Sequence, residues 1–339
     1  MLSEFQGKAL SRSGKPKATL KPVGSSQTGI GGIAFDGQQS LWLPFCAGSP
    51  FTTGVVLALS PSDIHDLRAR HFKFTPFAIL HDSSVNCPQA VAFDHAENLW
   101  VINDLDGPSD PTKQLAEYLA IDVQKGGSPN PVKTIEIVDL SQPRNMTFDG
   151  SGNLWLVDSY TSHVVEVTGA QLAQTGPLAA NLVVNPPSIS APLQLAADII
   201  FDSNGDMWVD YGIGGPEELG ELIKYAGSDL TGTGEIAPTP LVEISSLDPG
   251  DGNLPSIFNP RGMTFDQFGN LWLANRSYGP PAADGGSLVG FSPAQLSASG
   301  SPSPAIELLS TLPLPDKHKC KRSLNFASPS SIAFGPLIE

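Results

Sequence analysis

The sequence predicts an all-β fold, a six-bladed β-propeller in which each blade contains four antiparallel strands. Three observations predict this fold. One segment with a Phe-Asp pair and a Trp recurs five times, a second strand-like segment follows it, and the two ends of the chain complement each other. The 339 residues include 34 Gly and 31 Pro without a collagen-like period, which is typical of a chain with many tight turns.

The recurring segment contains a short apolar strand ending in Phe-Asp, a few turn-forming residues, and a second apolar strand that carries Trp. Its copies occupy residues 34–43, 92–101, 147–156, 200–209 and 264–273, and all five Trp of the chain fall at one position of it. This pattern predicts a β-hairpin in which the Asp accepts backbone N–H groups of the turn. We favour the Trp as an apolar plate between sheets over a ligand-stacking role, and the Asp as a turn residue over a catalytic carboxylate.

The segment that follows each hairpin predicts a third strand, one helical turn, a loop rich in Gly and Pro, and a fourth strand. Its clearest copy covers residues 289–308, with counterparts at 164–184 and 222–244. Four antiparallel strands in roughly 50 residues are typical of a propeller blade.

The chain ends predict how the ring closes. Residues 327–339 match the start of a blade and residues 1–22 match the end of one, so a sixth blade would combine both termini and leave no open sheet edge. We therefore predict one domain over residues 1–339, with that closing blade and five continuous blades at 29–85, 86–140, 141–190, 191–246 and 257–310.

A family resemblance rests on residues 260–275, where Pro-Arg-Gly-Met-Thr-Phe-Asp is followed by Gly-Asn-Leu-Trp-Leu-Ala-Asn. This pattern resembles NHL repeats, and the chain is similar to the wider group that includes virginiamycin B lyase and SMP-30/gluconolactonase proteins. The resemblance covers nearly the whole chain. It implies the architecture but no single activity, because this fold supports binding proteins, lyases and hydrolases alike.

Charge and termini restrict the partners. With 19 basic and 34 acidic residues the formal charge is −15, so nucleic acid and anionic lipid are poor partners. No apolar run approaches the ~20 residues of a membrane helix. Residues 1–5 carry no signal-peptide pattern, so the protein is either cytoplasmic or has lost a leader, and its low Lys content with abundant Ser, Thr, Gly and Pro favours an exported protein.

The top face, where strand one of each blade begins, carries most known sites in related propellers. SMP-30-like enzymes are expected to bind a divalent metal there through carboxylate and Asn side chains. The aligned positions here contain no acid; they are Gly31, Gln89, Arg144, Ala197, Arg261 and Ser330. Asn145 and Asp198, one position further on, could supply two oxygen ligands. The lyase-like site implied by the resemblance needs a His near strand one, and we place none there.

Two basic and several polar side chains at this face could either bind a ligand or hold the protein's own structure together. Arg144 and Arg261 could bind an anion, or could pair with Asp158 and Asp198 and lock blades together. The ends of strand two carry polar residues that could hold a cation or a polar ligand, or could cap the following turn. Those residues are Asn103, Asp158, Asp210 or Tyr211, and Asn275.

Two further groups of residues suggest metal ions. Asp104, Asp106 and Asp110 alternate in an Asn-Asp-Leu-Asp-Gly loop, which suits Ca²⁺, although a solvated acidic loop explains them as well. The three Cys and a nearby His should share the top face, and free thiols, a Cys46–Cys87 disulfide and a soft-metal site all remain open. That soft-metal set is Cys46, Cys87, His318 and Cys320.

No Ser-His-acid set, P-loop or dinucleotide motif occurs in the sequence. The leading functional hypothesis is therefore a monomeric binding module whose top face holds a small polar molecule, a peptide or a protein. The alternative is a divalent-cation-dependent lyase or hydrolase that uses the same face, with calcium as a candidate cofactor. A purely structural interaction domain is the third hypothesis.

Overall fold

The structure is a computed structural model that describes residues 29–47, 53–68, 76–103, 114–187, 194–213, 219–246, 256–275, 286–309 and 331–333. These residues form five sheets that follow one another along the chain as the blades of a β-propeller. In each blade one Phe-Asp…Trp segment forms the hairpin of two inner strands, as the sequence predicted.

The first three blades carry the following strands. Blade 1 contains β1 (Gly29–Ile30), β2 (Ala34–Phe35), β3 (Leu41–Ala47), β4 (Thr53–Leu59) and β5 (Ala78–Leu80), with β1 and β2 both paired to β3. Blade 2 contains β6 (Pro88–Phe93), β7 (Leu99–Asn103), β8 (Gln114–Tyr118) and β9 (Lys133–Ile137). Blade 3 contains β10 (Pro143–Phe148), β11 (Leu154–Asp158), β12 (Val164–Val167) and β14 (Leu182–Val184).

The last two blades repeat the same antiparallel order. Blade 4 contains β15 (Gln194–Phe201), β16 (Met207–Ile213), β17 (Gly220–Tyr225) and β19 (Val242–Ser245). Blade 5 contains β20 (Pro260–Phe265), β21 (Leu271–Asn275), β22 (Ser287–Phe291) and β23 (Ile306–Leu309). The third strands lead into short helices, which are α1 (Pro61–Arg68), α2 (Ala120–Val123), α3 (Gly169–Leu172) and the 3₁₀ turns Gly227–Asp229 and Gln295–Ser297. No helix within the described ranges is long and apolar enough to cross a membrane.

The hairpin between strands one and two owes its shape to the repeated Asp. In blade 3, Asp149 accepts the backbone N–H groups of Ser151 at 2.8 Å and Asn153 at 2.9 Å, while Gly152 adopts a φ of +82° that suits glycine. The second carboxylate oxygen accepts the indole N–H of Trp155 at 2.9 Å. The predicted turn role of the Asp is confirmed, and the bond to the Trp is an addition to it.

The same Asp–Trp hydrogen bond occurs in all five blades, at 2.9–3.3 Å. The five Trp side chains are 0–3% exposed, so each indole contributes apolar contact while its one polar atom has an acceptor. In blades 1, 2 and 3 the Trp also packs against the Phe of the next blade's Phe-Asp pair. The observed pairs are Trp42–Phe93, Trp100–Phe148 and Trp155–Phe201, with ring centroids 5.6–6.1 Å apart. The predicted role of the Trp as a plate between sheets is confirmed.

Neighbouring blades also share strands at their outer edges. Strand β13 (Gly176–Leu178), from the loop after α3 of blade 3, pairs in parallel with β9 of blade 2. Strand β18 (Gly234–Ile236), from the corresponding loop of blade 4, pairs in parallel with β14 of blade 3. Single parallel bridges join the equivalent loops of blades 2 and 5 to the preceding blades. Each of these loops therefore ties its own blade to the one before it.

The prediction of six blades is wrong, because the residues that the structure describes form five. Of the residues assigned to a sixth blade, only 331–333 are described, and they belong to no sheet. The Ser331 hydroxyl accepts the N–H of Ile33 at 3.2 Å, and the Ser331 Cα lies 2.8 Å from where a Cβ on Gly262 would stand. This tripeptide thus packs between blades 5 and 1 without forming a strand ladder. Residues 1–22 lie outside the described residues.

Candidate functional site

The innermost strands surround a central channel, and four of them are irregular at the same height. The pairing register of strand one shifts just after its first residues in blades 2, 3, 4 and 5. Such bulges change the direction of the side chains at the irregular positions. In blades 3 and 4 the pairing skips Arg144 and Ala197, and the residues directly after them are Asn145 and Asp198, two of the side chains that the sequence suggested as oxygen ligands.

Asn145 and Asp198 lie side by side at this level of the channel, which we call the waist. Asp198 is 4% exposed, and its Oδ1 accepts hydrogen bonds from the Asn145 side-chain amide and from the Ile199 N–H at 2.8 Å. Its Oδ2 accepts the N–H of Met263 in blade 5 at 2.5 Å. On the other side, a Cβ on Gly32 of blade 1 would collide with the Asn145 amide. A polar layer from blades 1, 3, 4 and 5 therefore fills the waist.

A second buried carboxylate lies behind Asp198. Asp210 is fully buried, and its Oδ1 accepts the N–H of Asp198 at 2.6 Å and that of Ala197 at 3.2 Å. Burial raises the pKa of Asp210 to about 7, although these hydrogen bonds and the Arg261 guanidinium oppose the shift. Burial first, and then repulsion by Asp210, raise the pKa of Asp198 well above its usual value. The pair therefore binds protons more tightly than ordinary carboxylic acids do.

Below the waist, toward the hairpin turns, the channel contains a cavity of about 330 Å³. Its polar end is formed by Asn145, Asp198 and Ser331, which we call the polar floor. Its walls come from the second halves of the innermost strands and are mostly apolar. The wall residues are Ile33, Ala34, Phe35, Val91, Ala92, Phe93, Met146, Thr147, Phe148, Ile199, Ile200, Met263, Thr264, Ile332 and Ala333, with His95 beside them. Although most wall residues are apolar, more of the accessible surface of the cavity is polar than apolar. A concave space of this size is within the range of small-molecule sites.

The polar residues at the ends of strand two hold the connectors instead of pointing at a ligand. Asn103 accepts the N–H of Asn86 at 2.9 Å and Asn275 accepts that of Phe258 at 3.2 Å. Asp158 accepts N–H groups of the preceding connector, at Ser141 and Gln142, and of the following turn. All three side chains are at most 1% exposed, which favours a structural role over the ligand role also considered from the sequence.

The remaining top-face candidates are partly engaged. Arg144 donates to the Ser159 hydroxyl at 3.3 Å and to the side-chain oxygen of Gln89 at 3.4 Å. The side-chain nitrogen of Gln89 in turn donates to Cys87. Arg261 acts electrostatically on Asp210, which the sequence had not suggested as its partner. Tyr211 is fully buried, and this burial raises the pKa of its hydroxyl well above the usual value.

The two proposed metal sites have different outcomes. Cys46 and Cys87 form a disulfide with their Cα atoms 4.2 Å apart, so their sulfur atoms are not thiolate ligands, and this pairing is the one that the sequence had left open. His318 and Cys320 lie outside the described residues, as do the calcium candidates Asp104, Asp106 and Asp110. Within the described ranges, no three His, Cys, Asp or Glu side chains come together as a metal site.

The divalent-metal cage implied by SMP-30-like proteins does not fit the waist. Among the described residues, the side-chain oxygens there belong to Asn145, Asp198 and Ser331, and the aligned position in blade 1 is Gly32. Asn145 turns its amide nitrogen toward Asp198, and its oxygen accepts the N–H of Met146 at 2.9 Å. These two side chains carry three oxygens and Ser331 a fourth; each already accepts a hydrogen bond from a protein donor, and four fall short of the six or more that a cation such as Ca²⁺ takes.

No protein-family model and no curated protein matches this sequence. A protein of unknown function from Bacteroides caccae is similar in structure, with a TM-score of 0.53 and 10% identity over 86% of this chain and 90% of that one. A protein provisionally assigned as a gluconolactonase has a TM-score of 0.49 and 14% identity over 94% and 87%. Virginiamycin B lyase from Staphylococcus aureus has a TM-score of 0.41 and 11% identity over 85% and 72%.

The chain spans 31% of the length of another similar structure, the extracellular domain of a one-component system from B. thetaiotaomicron, at a TM-score of 0.44 and 16% identity. At such identities the comparisons show the fold alone. This chain is a β-propeller. The resemblance to propeller proteins seen in the sequence is thus confirmed for the architecture.

Sequence reasoning missed the cavity walls. Phe35, Phe93 and Phe148 precede the repeated Asp, and the sequence analysis used them only to recognise the hairpin. The available signal was their position: strand one is the innermost strand of every blade, so its last residues surround the lower channel. Thr147 and Thr264, one residue before the Phe of blades 3 and 5, line the same space.

Proposed function

We propose that this protein binds a small organic molecule in the cavity of its central channel. The cavity of about 330 Å³, lined by the innermost strands of all five blades, is the observation that carries the proposal. The sequence suggested the mouth at the top face. Many connectors of that face lie outside the described residues, and the polar side chains at the ends of strand two hold backbone groups. The described geometry therefore favours the lower channel.

The alternative of a divalent-cation-dependent lyase or hydrolase receives no comparable support. The described side chains at the waist offer four oxygens, from Asn145, Asp198 and Ser331, and each already accepts a hydrogen bond within the protein. The described residues present no nucleophile paired with a base beside the cavity. We therefore derive no catalytic step. Binding without chemistry is the simpler function for a site of this composition.

We also propose that the protein works in an oxidising compartment. The support is the Cys46–Cys87 disulfide, which joins blade 1 to the connector before blade 2 and is buried at both residues. This agrees with the exported character that the composition suggests. Mass spectrometry of protein isolated from its source without reductant should find these two residues linked, and finding both as free thiols would reject the proposal.

Blocking the cavity tests the binding proposal. Thr264 lines the cavity and belongs to no hydrophobic cluster of the core, so Thr264→Phe should fill the space with little damage to the fold. The matched control is Thr233→Phe, at an exposed position on the outer side of blade 4. The probe is 2-phenylethanol, whose nine heavy atoms predict a Kd in the millimolar range at about −0.3 kcal/mol per atom.

Ligand-observed NMR should show saturation transfer from the unaltered protein and from Thr233→Phe to 2-phenylethanol, and little or none from Thr264→Phe. Transfer that persists in Thr264→Phe would place the probe elsewhere. An absence of transfer from the unaltered protein would count directly against a ligand site in the channel.

A further inference from the structure

One level of the cavity has a polar side and an apolar side. At this level each strand one carries the residue that pairs with the Trp of its own blade. Blades 3 and 5 have Thr147 and Thr264 there, whereas the other three blades have the apolar residues Ala34, Ala92 and Ile200, and all five line the cavity. Hydroxyl groups therefore come from blades 3 and 5, and blades 1 and 2 contribute only methyl groups.

The two Thr hydroxyl groups lack protein partners. Thr147 and Thr264 are both partly buried, and neither hydroxyl group has a hydrogen-bond partner among the residues that the structure describes. A hydroxyl group can donate one hydrogen bond and accept two, and leaving it unpaired when water is displaced costs free energy. A ligand that displaces water from this level therefore binds best when it supplies a hydrogen-bonding group of its own.

The cavity offers no counter-charge to an ionic ligand. Neither Lys nor Arg is among the described residues that line it, and its one carboxylic acid, Asp198, already accepts hydrogen bonds from three protein groups. Burial, and then repulsion by Asp210, raise the pKa of Asp198 well above its usual value. His95 is exposed, at the end of the cavity near the hairpin turns. Because moving an unpaired charge out of water is costly, this lining favours an uncharged ligand.

The lining also suits a ligand that is partly apolar. Polar atoms provide more of the accessible surface than apolar atoms do, but the rings of Phe35, Phe93 and Phe148 are part of it. A purely apolar ligand would leave polar groups without hydrogen bonds, and a purely polar ligand would gain nothing from covering the rings. A molecule with one polar and one apolar part avoids both losses.

We propose that the cavity is selective for uncharged molecules that combine a hydroxyl group with an apolar part, and that Thr147 and Thr264 bind the hydroxyl group. The apolar part then lies toward blades 1 and 2. This inference rests on the proposed function, since it names the ligand class of the same cavity.

A competition series tests the selectivity against charge. The reporter is saturation transfer to 2-phenylethanol, and the competitors are 3-phenyl-1-propanol, phenethylamine and 3-phenylpropionate, which are a neutral molecule, a cation and an anion at neutral pH. At about 0.15 M salt, which screens the surface charges, the neutral alcohol should halve the transfer at a concentration at least tenfold lower than either ion. Displacement reports on the cavity alone, and the series needs no variant, so it is independent of any effect of substitutions on folding.

Removing the hydroxyl groups tests the assignment of the two Thr residues. The double variant Thr147→Val, Thr264→Val keeps the side-chain shape and should raise the Kd of 2-phenylethanol about three- to tenfold, as expected for the loss of one hydrogen bond. The matched control is Thr134→Val, at a partly buried Thr of β9 on the outer side of blade 2, and it should leave this Kd unchanged. Transfer to ethylbenzene, which has the ring but no hydroxyl group, should persist in the double variant and show that the cavity is intact.

The outcomes separate this inference from the proposed function. Displacement by either ion at the same concentration as by the neutral alcohol would overturn the selectivity and leave cavity binding standing. An unchanged Kd of 2-phenylethanol in the double variant would overturn the role of the two Thr residues. Equal losses of 2-phenylethanol and ethylbenzene binding in that variant would also overturn it, because the hydroxyl groups would then support the cavity and not the ligand. Failure of 2-phenylethanol to bind the unaltered protein would overturn both proposals.

Discussion

Replacing one hairpin Asp should reveal how much the repeated Asp–Trp hydrogen bond contributes to stability. Asp149 accepts two turn N–H groups, the Asn153 side-chain amide and the indole N–H of Trp155, all at 2.8–3.0 Å. In Asp149→Ala the turn groups near Ser151 are exposed and can bind water, whereas the indole N–H is buried and cannot. A hydrogen bond to a charged acceptor contributes about 1.5–3 kcal/mol, and an unsatisfied buried donor costs about 1–3 kcal/mol.

We therefore expect Asp149→Ala to lower the free energy of unfolding by roughly 2–4 kcal/mol, and Asp149→Asn, which keeps one acceptor for the turn, by about 1–2 kcal/mol. Urea denaturation followed by circular dichroism measures both values. A double-mutant cycle of Asp149→Asn with Trp155→Phe should give a coupling energy of about 1 kcal/mol. A loss below about 0.5 kcal/mol for Asp149→Ala, or a coupling energy near zero, would refute the assigned role of this bond.

The pH dependence provides a further check on the same carboxylate. Partial burial acts to raise the pKa of Asp149, but hydrogen bonds from Trp155, Asn153 and Ser151 hold the pKa below its usual value. A carboxylate with a lowered folded-state pKa stabilises the protein above its unfolded-state pKa, and this stabilisation is lost as the pH falls below about 4. The stability difference between Asp149→Asn and the unaltered protein should therefore shrink between pH 4 and pH 2.

Three further predictions concern the waist and the disulfide. Gly32→Ala places a methyl group against the amide that fills the channel and should destabilise the fold by about 1–3 kcal/mol in urea, whereas Gly150→Ala, where nothing lies within 4 Å of the new Cβ, should cost less than about 1 kcal/mol. Because burial raises the pKa of Asp210 to about 7, the contribution of this group to stability should fall by roughly 2–4 kcal/mol as the pH rises from about 4 to 7; Asp198, whose pKa is also raised, adds a slope of the same sign, so Asp210→Asn should reduce the slope in pH-dependent urea titrations without abolishing it, and an unchanged slope would contradict the assignment. Replacing both Cys46 and Cys87 with Ser removes a crosslink between residues 41 positions apart and should lower the free energy of unfolding by roughly 2–4 kcal/mol. An unchanged urea midpoint would mean that the crosslink does not restrain the unfolded chain.

The hairpins could be predicted because their chemistry is local. Asp149, Gly152 and Trp155 lie within seven residues, and turn geometry alone brings the carboxylate to both the turn and the indole. The number of blades depends instead on contacts between residues far apart in the chain. The packing of Ser331 against Gly262 and Ile33 is such a contact. The resemblance of residues 327–339 to the start of a blade could not show that residues 331–333 pack there without forming a strand ladder.

The site was harder to predict for a related reason. Sequence identifies a polar residue at the end of strand two but cannot show whether it faces a ligand or the backbone. Asn103, Asp158 and Asn275 each bind an N–H group 17 residues earlier, at Asn86, Ser141 and Phe258. This constant offset is visible in the sequence once the repeat is aligned, and it would have assigned all three to the connectors. The bulges that turn Asn145 and Asp198 into the channel have no comparable signature.

The parallel strands that the outer loops of blades 3 and 4 add to the preceding blades affect how blades can be exchanged in engineered proteins. Strand β13 comes from the blade 3 segment but completes the sheet of blade 2, and β18 comes from the blade 4 segment but completes the sheet of blade 3. A sheet is therefore not built from one continuous segment of the chain. A chimera that swaps residues 141–190 for a foreign blade would also remove the outermost strand of the blade before it. Recombination should therefore succeed when the foreign loop matches the edge of the host's preceding blade, and a swap designed from sheet boundaries alone would expose the β9 edge to aggregation.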